Sequence, residues 1–414
     1  MMTNLMEQCK VLQNASKQLS SMNTKDKNEA LRQVAISLQK NESFIIQENQ
    51  KDVENAEAKG MKESLVDRLR LTKDRVEGMI KGIQTIIELK DPVWKSNEVW
   101  TLENGLTVSK MTVPIGVIGI IYESRPNVTV DAFCLTLKSG NGVLLRGSST
   151  SIFSNRALVH AIKEGLKNSD VSEAVISLID DPDRGLVKEM LTLNEYIDLI
   201  IPRGGKELID FVVKNATVPT IETGVGNCHI FVDESANIDE AVDIIENAKV
   251  QRPGVCNACE TVLIHEKIAK DLLPKVSGRI GKQVEIRGCQ HTQSLIGGKL
   301  AIEDDWAEEF LDYIVAVKVV PNVDEAIEHI NHFGTKHSEA ILTENLSHAN
   351  QFLRQVDAAA VYVNASTRFT DGSEFGLGGE MGISTQKIHA RGPMGLNELV
   401  TVKYTIVGNG QIRK

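Results

Sequence analysis

The chain has 414 residues, too many for one ordinary hydrophobic core, so two or three domains are expected. Its 42% apolar and 25% charged residues are those of a soluble globular protein, and a net charge of −10 without any basic tract argues against a nucleic-acid surface. No apolar run approaches the roughly 18 residues of a membrane span, and the start, MMTNLMEQCK, lacks a basic region ahead of an apolar stretch, so no signal peptide is expected.

Residues 1–92 are charge-rich with apolar residues at helical spacing, and Gly60 reads as a helix stop. Asn104-Gly105 then lies between alternating segments, the mark of a hairpin. GVIGIIY reads as a buried strand, followed by a helix from about Thr129. From 141 to 252 the pattern alternates: strand GVLLRG, helix SIFSNRALVHAIKEGLKN, strand VISLI, helix GLVKEMLTL, strand YIDLIIP, helix GKELIDFVVKN, strand PTIET. Beyond Cys256 it resumes with TVLIH, KIAKDLLPKVSGRI, YIVAVKVV, VDEAIEHINHFG, SEAILTE, SHANQFLRQV and AAVYVN. Strands alternating with helices predict parallel βαβ units and doubly wound sheets, and the tail from 392 reads as extended.

Six cysteines (Cys9, Cys134, Cys228, Cys256, Cys259, Cys289) are too few and too scattered for a disulfide scaffold, and reduced thiols are expected. Within QRPGVCNACETVLIH, Cys256 follows a short glycine turn and precedes a strand, with Cys259 three residues on. No second C-x-x-C or H-x-x-x-H follows at zinc spacing, and a thioredoxin-type pair belongs to a smaller fold. Cys259 therefore reads as a packed small residue, and Cys256 as a thiol that Gly254 and Asn257 allow close to a ligand. The dinucleotide fingerprint G-x-G-x-x-G is absent. Two strand-to-helix turns remain as phosphate sites, VLLRGSSTS with Arg146, Gly147 and Ser148, and LIIPRGGKEL with Arg203, Gly204 and Gly205. Glycines that merely shape a βα turn are the alternative.

The segments VPIGVIGIIYESRPNVTVDAFCLTLKSGNGVLLRGSS, IPRGGKELI, IETGVGNCHIFVD, QRPGVCNACETVLIH and DGSEFGLGGEMGIS, in order over nearly the whole chain, resemble the aldehyde dehydrogenase superfamily, and within it the branch that reduces L-glutamyl 5-phosphate in proline biosynthesis. The resemblance implies an aldehyde dehydrogenase-like α/β fold of two doubly wound domains plus a small β oligomerisation element. Residues 1–98 and 114–252 would form the NADP-binding domain and 253–385 the catalytic domain, with 99–113 and 386–414 as the extended oligomerisation segments. It implies reduction by NADPH to L-glutamate 5-semialdehyde through a cysteine thioester, in a cytoplasmic homo-oligomer without nucleic-acid or membrane partners. Association with the glutamate 5-kinase that makes the unstable substrate stays open.

Residue by residue, Cys256 matches the catalytic thiol and Asn127 the asparagine whose amide, with the thiol's own backbone N–H, forms the oxyanion hole. Arg146 stands in place of a cofactor-ribose lysine, Arg203 and Gly204 face the pyrophosphate, and Glu309, or Glu308 in its stead, matches the nicotinamide-ribose glutamate. Glu222 matches the glutamate that activates water in hydrolytic relatives, which a phosphate-dependent enzyme has no use for; it is restrained, shuttles a proton or is structural. Arg125, Arg252 and Arg368 are substrate-anion candidates, with structural ion pairs as the alternative. His229 and Asp371 are further candidates, a buried histidine on a strand being more often a satisfied core group. The rival enzymes are a coenzyme A-acylating or a hydrolytic aldehyde dehydrogenase, and the rival from another class is a catalytically dead scaffold.

Overall fold

The structure is a computed structural model that describes residues 4–413; the extreme residues of the helical start and of the extended tail lie outside the described residues. The chain divides into two compact units. The first runs up to Thr223 and includes Gly376–Gly382 and the C-terminal stretch from Met394; the second holds Gly224–Phe375 and Ile383–Pro393.

In the first unit, five helices (Asn4–Leu19, Thr24–Lys40, Glu42–Ala58, Glu63–Leu69 and Lys73–Glu88) account for the charge-rich start. Asn23 and Thr72 cap two of them by accepting from the N–H of Asp26 and Arg75. A four-stranded parallel sheet follows, in the order Ile176–Leu178, Gly142–Gly147, Val117–Tyr122, Leu199–Arg203. Val117–Tyr122 and Gly142–Gly147 are buried throughout, as strands covered on both faces are, and Arg146 is the one charged side chain among them. The Asn104-Gly105 hairpin forms as expected: Ser96–Thr101 pairs antiparallel with Thr107–Pro114, and Val400–Val407 adds a third strand to that ribbon. Two expectations shift. The helix after GVIGIIY starts at Asn127, and PTIET is not assigned as a strand. Pro219 has no N–H, and the segment meets Leu199–Arg203 through one isolated bridge, Ile200 to Thr220, and through the Thr223 hydroxyl, which donates to Pro202 O at 2.7 Å.

The second unit is built on a seven-stranded, all-parallel sheet, in the order Lys299–Leu300, Glu285–Gly288, Ile314–Val320, Cys259–His265, Cys228–Val232, Ser338–Leu342, Ala360–Val363. Successive residues of its central strands feed opposite cores. Ile230, Val262 and Ala340 pack towards helices Ile238–Val250 and Glu266–Ile280, while Phe231, Leu263 and Ile341 pack towards Val323–Phe333 and Leu346–Gln355. That alternation is the doubly wound arrangement, and each of these side chains larger than alanine contributes about 1.5–3 kcal/mol by burial. The boundary expected at 252/253 lies instead at 223/224, because Cys228–Val232 hydrogen-bonds between Cys259–His265 and Ser338–Leu342. Residues 386–393, expected with the tail, belong to the second unit, and 376–382 belong to the first.

Candidate active site

Cys256 sits in the turn that joins helix Ile238–Val250 to strand Cys259–His265, half-buried. The turn is held from several sides. The buried Cys228 thiol donates to the Cys256 carbonyl at 3.1 Å. Gly226 passes so close that any Cβ there would collide with that same carbonyl, which is why the position tolerates no side chain. The Gly226 N–H donates to Glu309 Oε1 at 2.6 Å. On the other side, the Asn257 amide donates to the Thr370 carbonyl at 2.9 Å, its carbonyl oxygen accepts from Arg368 Nη1, and its backbone carbonyl accepts from Thr367 Oγ1 at 2.7 Å. Arg368 Nε donates to Gln251 Oε1 at 3.1 Å, so one guanidinium staples both ends of the loop.

The electrostatics of the two cysteines differ. Cys259 is buried, its thiol donates to Thr261 O at 3.3 Å, and burial pushes its titration well up. Cys228 is likewise raised by burial and then by Glu339. Arg368 is drawn below the usual guanidinium range by burial and by the charge of Arg252, an effect the Cys256 thiolate and Asp371 oppose. A cation within field range of Cys256 favours its thiolate, the reactive form. Arg252 is exposed and lies within field range of Arg368.

Three expected residues of this unit take other places. His229 is buried in a pair with Glu339, whose Oε2 lies 3.0 Å from Nδ1 and accepts the His229 backbone N–H at 2.7 Å. Asp371 caps a turn by accepting from the Ser373 N–H at 2.8 Å. Glu309 anchors Gly226, while Glu308 is exposed.

In the first unit the candidates gather at the carboxyl ends of adjacent parallel strands, where ligands bind in such sheets. Tyr122 is in register with Gly147 on one side and Arg203 on the other. The hydroxyls of Ser124 and Ser148 each lie 2.9 Å from Thr150 Oγ1. Arg146 is buried, its Nη1 donating to Gly147 O and its Nη2 to Pro182 O at 3.2 Å, while its Nε has no partner. Burial lowers its pKa, and Asp181, Tyr122 and Asp183 oppose that. Arg203 Nη2 lies 3.9 Å from Glu380 Oε1. The Gly205 N–H, expected to meet phosphate, donates to Glu123 Oε2 at 2.8 Å, and a Cβ on Gly204 would come within 2.6 Å of that carboxylate. An internal anion thus already caps helix Lys206–Asn215.

Asn127 is the exposed first residue of helix Asn127–Lys138, and its Nδ2 donates to Asp131 Oδ2 at 3.0 Å. Arg125 and Glu222 are half-buried. Cys228, Gly226, Glu123 and Asp131 were not picked out as site residues from the sequence. The only sequence signal for the first two was the GVGNCH glycine turn, which reads there as a failed nucleotide fingerprint.

Comparison with known proteins places these elements in context. A sequence model of the aldehyde dehydrogenase family matches residues 4–297 and 304–405. The chain is 68% identical over 413 residues to the γ-glutamyl phosphate reductase of Alkaliphilus oremlandii and 55% identical over 419 residues to that of Caldicellulosiruptor bescii, with 100% of each chain covered in both cases. The crystal structure of the Thermotoga maritima γ-glutamyl phosphate reductase superposes with a TM-score of 0.97 at 54% identity, again over 100% of both chains. An acetylating aldehyde dehydrogenase from Geobacillus thermoglucosidasius, 15% identical, shares the fold with a TM-score of 0.71 over 99% of this chain and 97% of that one.

Proposed function

We propose a reaction for this chain from one premise: it belongs to the aldehyde dehydrogenase family. It is an oxidoreductase that reduces L-glutamyl 5-phosphate to L-glutamate 5-semialdehyde with release of phosphate, a step of proline biosynthesis. The observation that carries the reading is the half-buried Cys256 on a stapled turn beside a guanidinium, in a chain whose full-length relatives are γ-glutamyl phosphate reductases.

In this reaction the Cys256 thiolate adds to the γ-acyl carbon. Asn127 and the Cys256 backbone N–H hold the resulting oxyanion, the carbon–oxygen bond to phosphate breaks, and a thioester remains. The nicotinamide cofactor supplies a hydride to the acyl carbon when bound. Cys256 then leaves as thiolate, with the aldehyde as product. A thiol serves both halves because sulfur is a strong nucleophile and a good leaving group, and the Arg368 charge favours the thiolate of a group that ordinarily titrates at about 8.5. Arg125, Arg252 and Arg368 are the proposed anion contacts for the phosphoryl and α-carboxylate groups. With two of its nitrogens spent on Asn257 and Gln251, Arg368 offers its remaining N–H groups and its charge. Glu222 takes a proton-shuttling or structural part, since activating water would waste the thioester.

NADP is the proposed cofactor. The first unit fits it at the strand ends: the buried, unpartnered Nε of Arg146 beside Gly147 and Ser148, with Arg203, Gly204 and Gly205 across Tyr122. Glu123 must yield the Gly205 N–H before a pyrophosphate uses it. Glu309 keeps a place near the nicotinamide ribose only if its bond to Gly226 serves as the anchor for that role. A homo-oligomer is proposed from the three-stranded ribbon, where Trp100, Val402, Tyr404 and Ile406 lie on one face and are 39–59% exposed. A cytoplasmic setting is proposed, supported by the biosynthetic role and by cysteines too few and scattered for a disulfide scaffold.

The acceptor decides between this reading and its rivals. Oxidation of glutamate semialdehyde with NADP is expected to require added phosphate and saturate with it, with coenzyme A inert as a substitute. Full-rate NADPH formation in phosphate-free buffer would make water the acceptor and Glu222 a working base, and the reductase reading would fail.

A further inference from the structure

Asn127 opens helix Asn127–Lys138 exposed, and Asp131 stands one turn below it, half-buried. An exposed asparagine amide turns over at little cost, since its terminal torsion is broad and two-fold. Turned one way it presents N–H, turned the other a carbonyl oxygen, and only the first can hold an oxyanion. Here Nδ2 donates to Asp131 Oδ2 at 3.0 Å across an i, i+4 step. An ionised carboxylate accepts and never donates, so it selects one of the two orientations.

We propose that Asp131 is the positioning residue for Asn127: its carboxylate takes one N–H of the amide and thereby aims the other at the developing oxyanion. The inference rests on the reading of Asn127 given above. The charged and titratable groups around the carboxylate are Arg203, from strand Leu199–Arg203, and Cys134, on the same helix; Glu380 lies 3.9 Å from the Arg203 guanidinium. Burial lifts Asp131 to about 6, against the Asn127 hydrogen bond and the Arg203 charge. Once protonated, the acid carries both a donor and an acceptor, either amide orientation satisfies it, and the selection is lost. Catalysis therefore weakens as pH falls through about 6.

The test is phosphate-dependent semialdehyde oxidation by the full-length enzyme and its Asn127→Ala, Asp131→Ala and Asp131→Asn variants, across pH 5–8. Asn127→Ala is expected to lose about 100-fold or more in kcat, as for removal of an oxyanion donor. Asp131→Ala is expected to lose about 10-fold in kcat with KM within about twofold, an intermediate loss because the donor survives unaimed. Asp131→Asn, which like the protonated acid offers both a donor and an acceptor, is expected to share most of the loss in kcat and to lack the acid inflection near 6. A normal kcat in Asp131→Ala beside a slow Asn127→Ala overturns the positioning role and leaves Asn127 in place. A normal kcat in Asn127→Ala removes both. Should Asp131→Ala not fold, an acid inflection that persists unchanged in Asp131→Asn is enough to overturn the proposal.

Discussion

The Cys228 thiol donates to the backbone carbonyl of Cys256 at 3.1 Å, so a second, buried cysteine supports the nucleophile from behind its own peptide. Cys259, nearer in sequence, instead points into the core towards Thr261 O. The three thiols should separate cleanly on mutation. Cys256→Ala is expected to abolish turnover with fold and cofactor binding intact, and Cys259→Ala to keep most activity. Cys228→Ala leaves the Cys256 carbonyl without its donor, at a cost of about 1 kcal/mol in stability and a several-fold loss in kcat. Circular dichroism, melting temperature and steady-state rates check all three. A Cys259→Ala enzyme as inactive as Cys256→Ala would mean a working thiol pair.

Arg368 carries two separable contributions, a staple between Asn257 and Gln251 and a positive charge near the thiol. Arg368→Lys keeps the charge and loses the planar fork; Arg368→Ala loses both. The rate of iodoacetamide alkylation at neutral pH is expected to fall several-fold in Arg368→Ala and less in Arg368→Lys, with the alanine variant recovering as pH rises. Equal, pH-independent slowing in both variants would leave only the staple.

Much of this was legible in the sequence, and the reasons differ by element. Val117–Tyr122 and the 143–145 core of Gly142–Gly147 stood out as short apolar runs, as strands buried on both faces are. Cys256 stood out because a thiol on a glycine turn before a strand has few structural uses. The unit boundary did not, because a strand's sheet membership depends on partners such as Glu339, which lies 110 residues from His229. The same distance hid Glu123, whose carboxylate reaches Gly205 across 82 residues. Asp131 was hidden for another reason: an aspartate inside a helix reads as a solvated face until its burial is known.

Arg146 offers a cofactor test with a structural complication. Its Nη atoms already serve Gly147 O and Pro182 O, so removing it loosens the strand end as well as any ribose or 2′-phosphate contact. Arg146→Ala is expected to raise the Michaelis constant for NADP about tenfold or more and to leave that for the aldehyde within about twofold, the difference expected for a lost charge-assisted contact. Equal changes in both constants would trace the effect to the strand end and take Arg146 out of the cofactor site.

Buried lysines make the first unit sensitive to alkali in an unusual direction. Lys27 and Lys138 are both buried, and Lys27 holds Asp91 at 2.5 Å. Lys138 is left with neutral acceptors, Asn28 Oδ1 at 2.6 Å and Ile87 O at 2.9 Å. Burial brings Lys138 down to about 8; Asp91 opposes this, and Lys27 and Arg32 add to it. An unfolded lysine keeps its proton to about 10.4. Between those limits the unfolded chain binds more protons at this site than the folded one, so the contribution of Lys138 to stability rises with pH across the window. Below about 8 the folded state bears the full cost of a buried ammonium. Urea unfolding of the wild type and of Lys138→Met at pH 7, 8, 9 and 10 isolates the effect, because groups common to both cancel. The wild type is expected to gain on the variant steadily from pH 8 to pH 10. A difference that stays flat or shrinks over that range would show that Lys138 remains charged in its buried site.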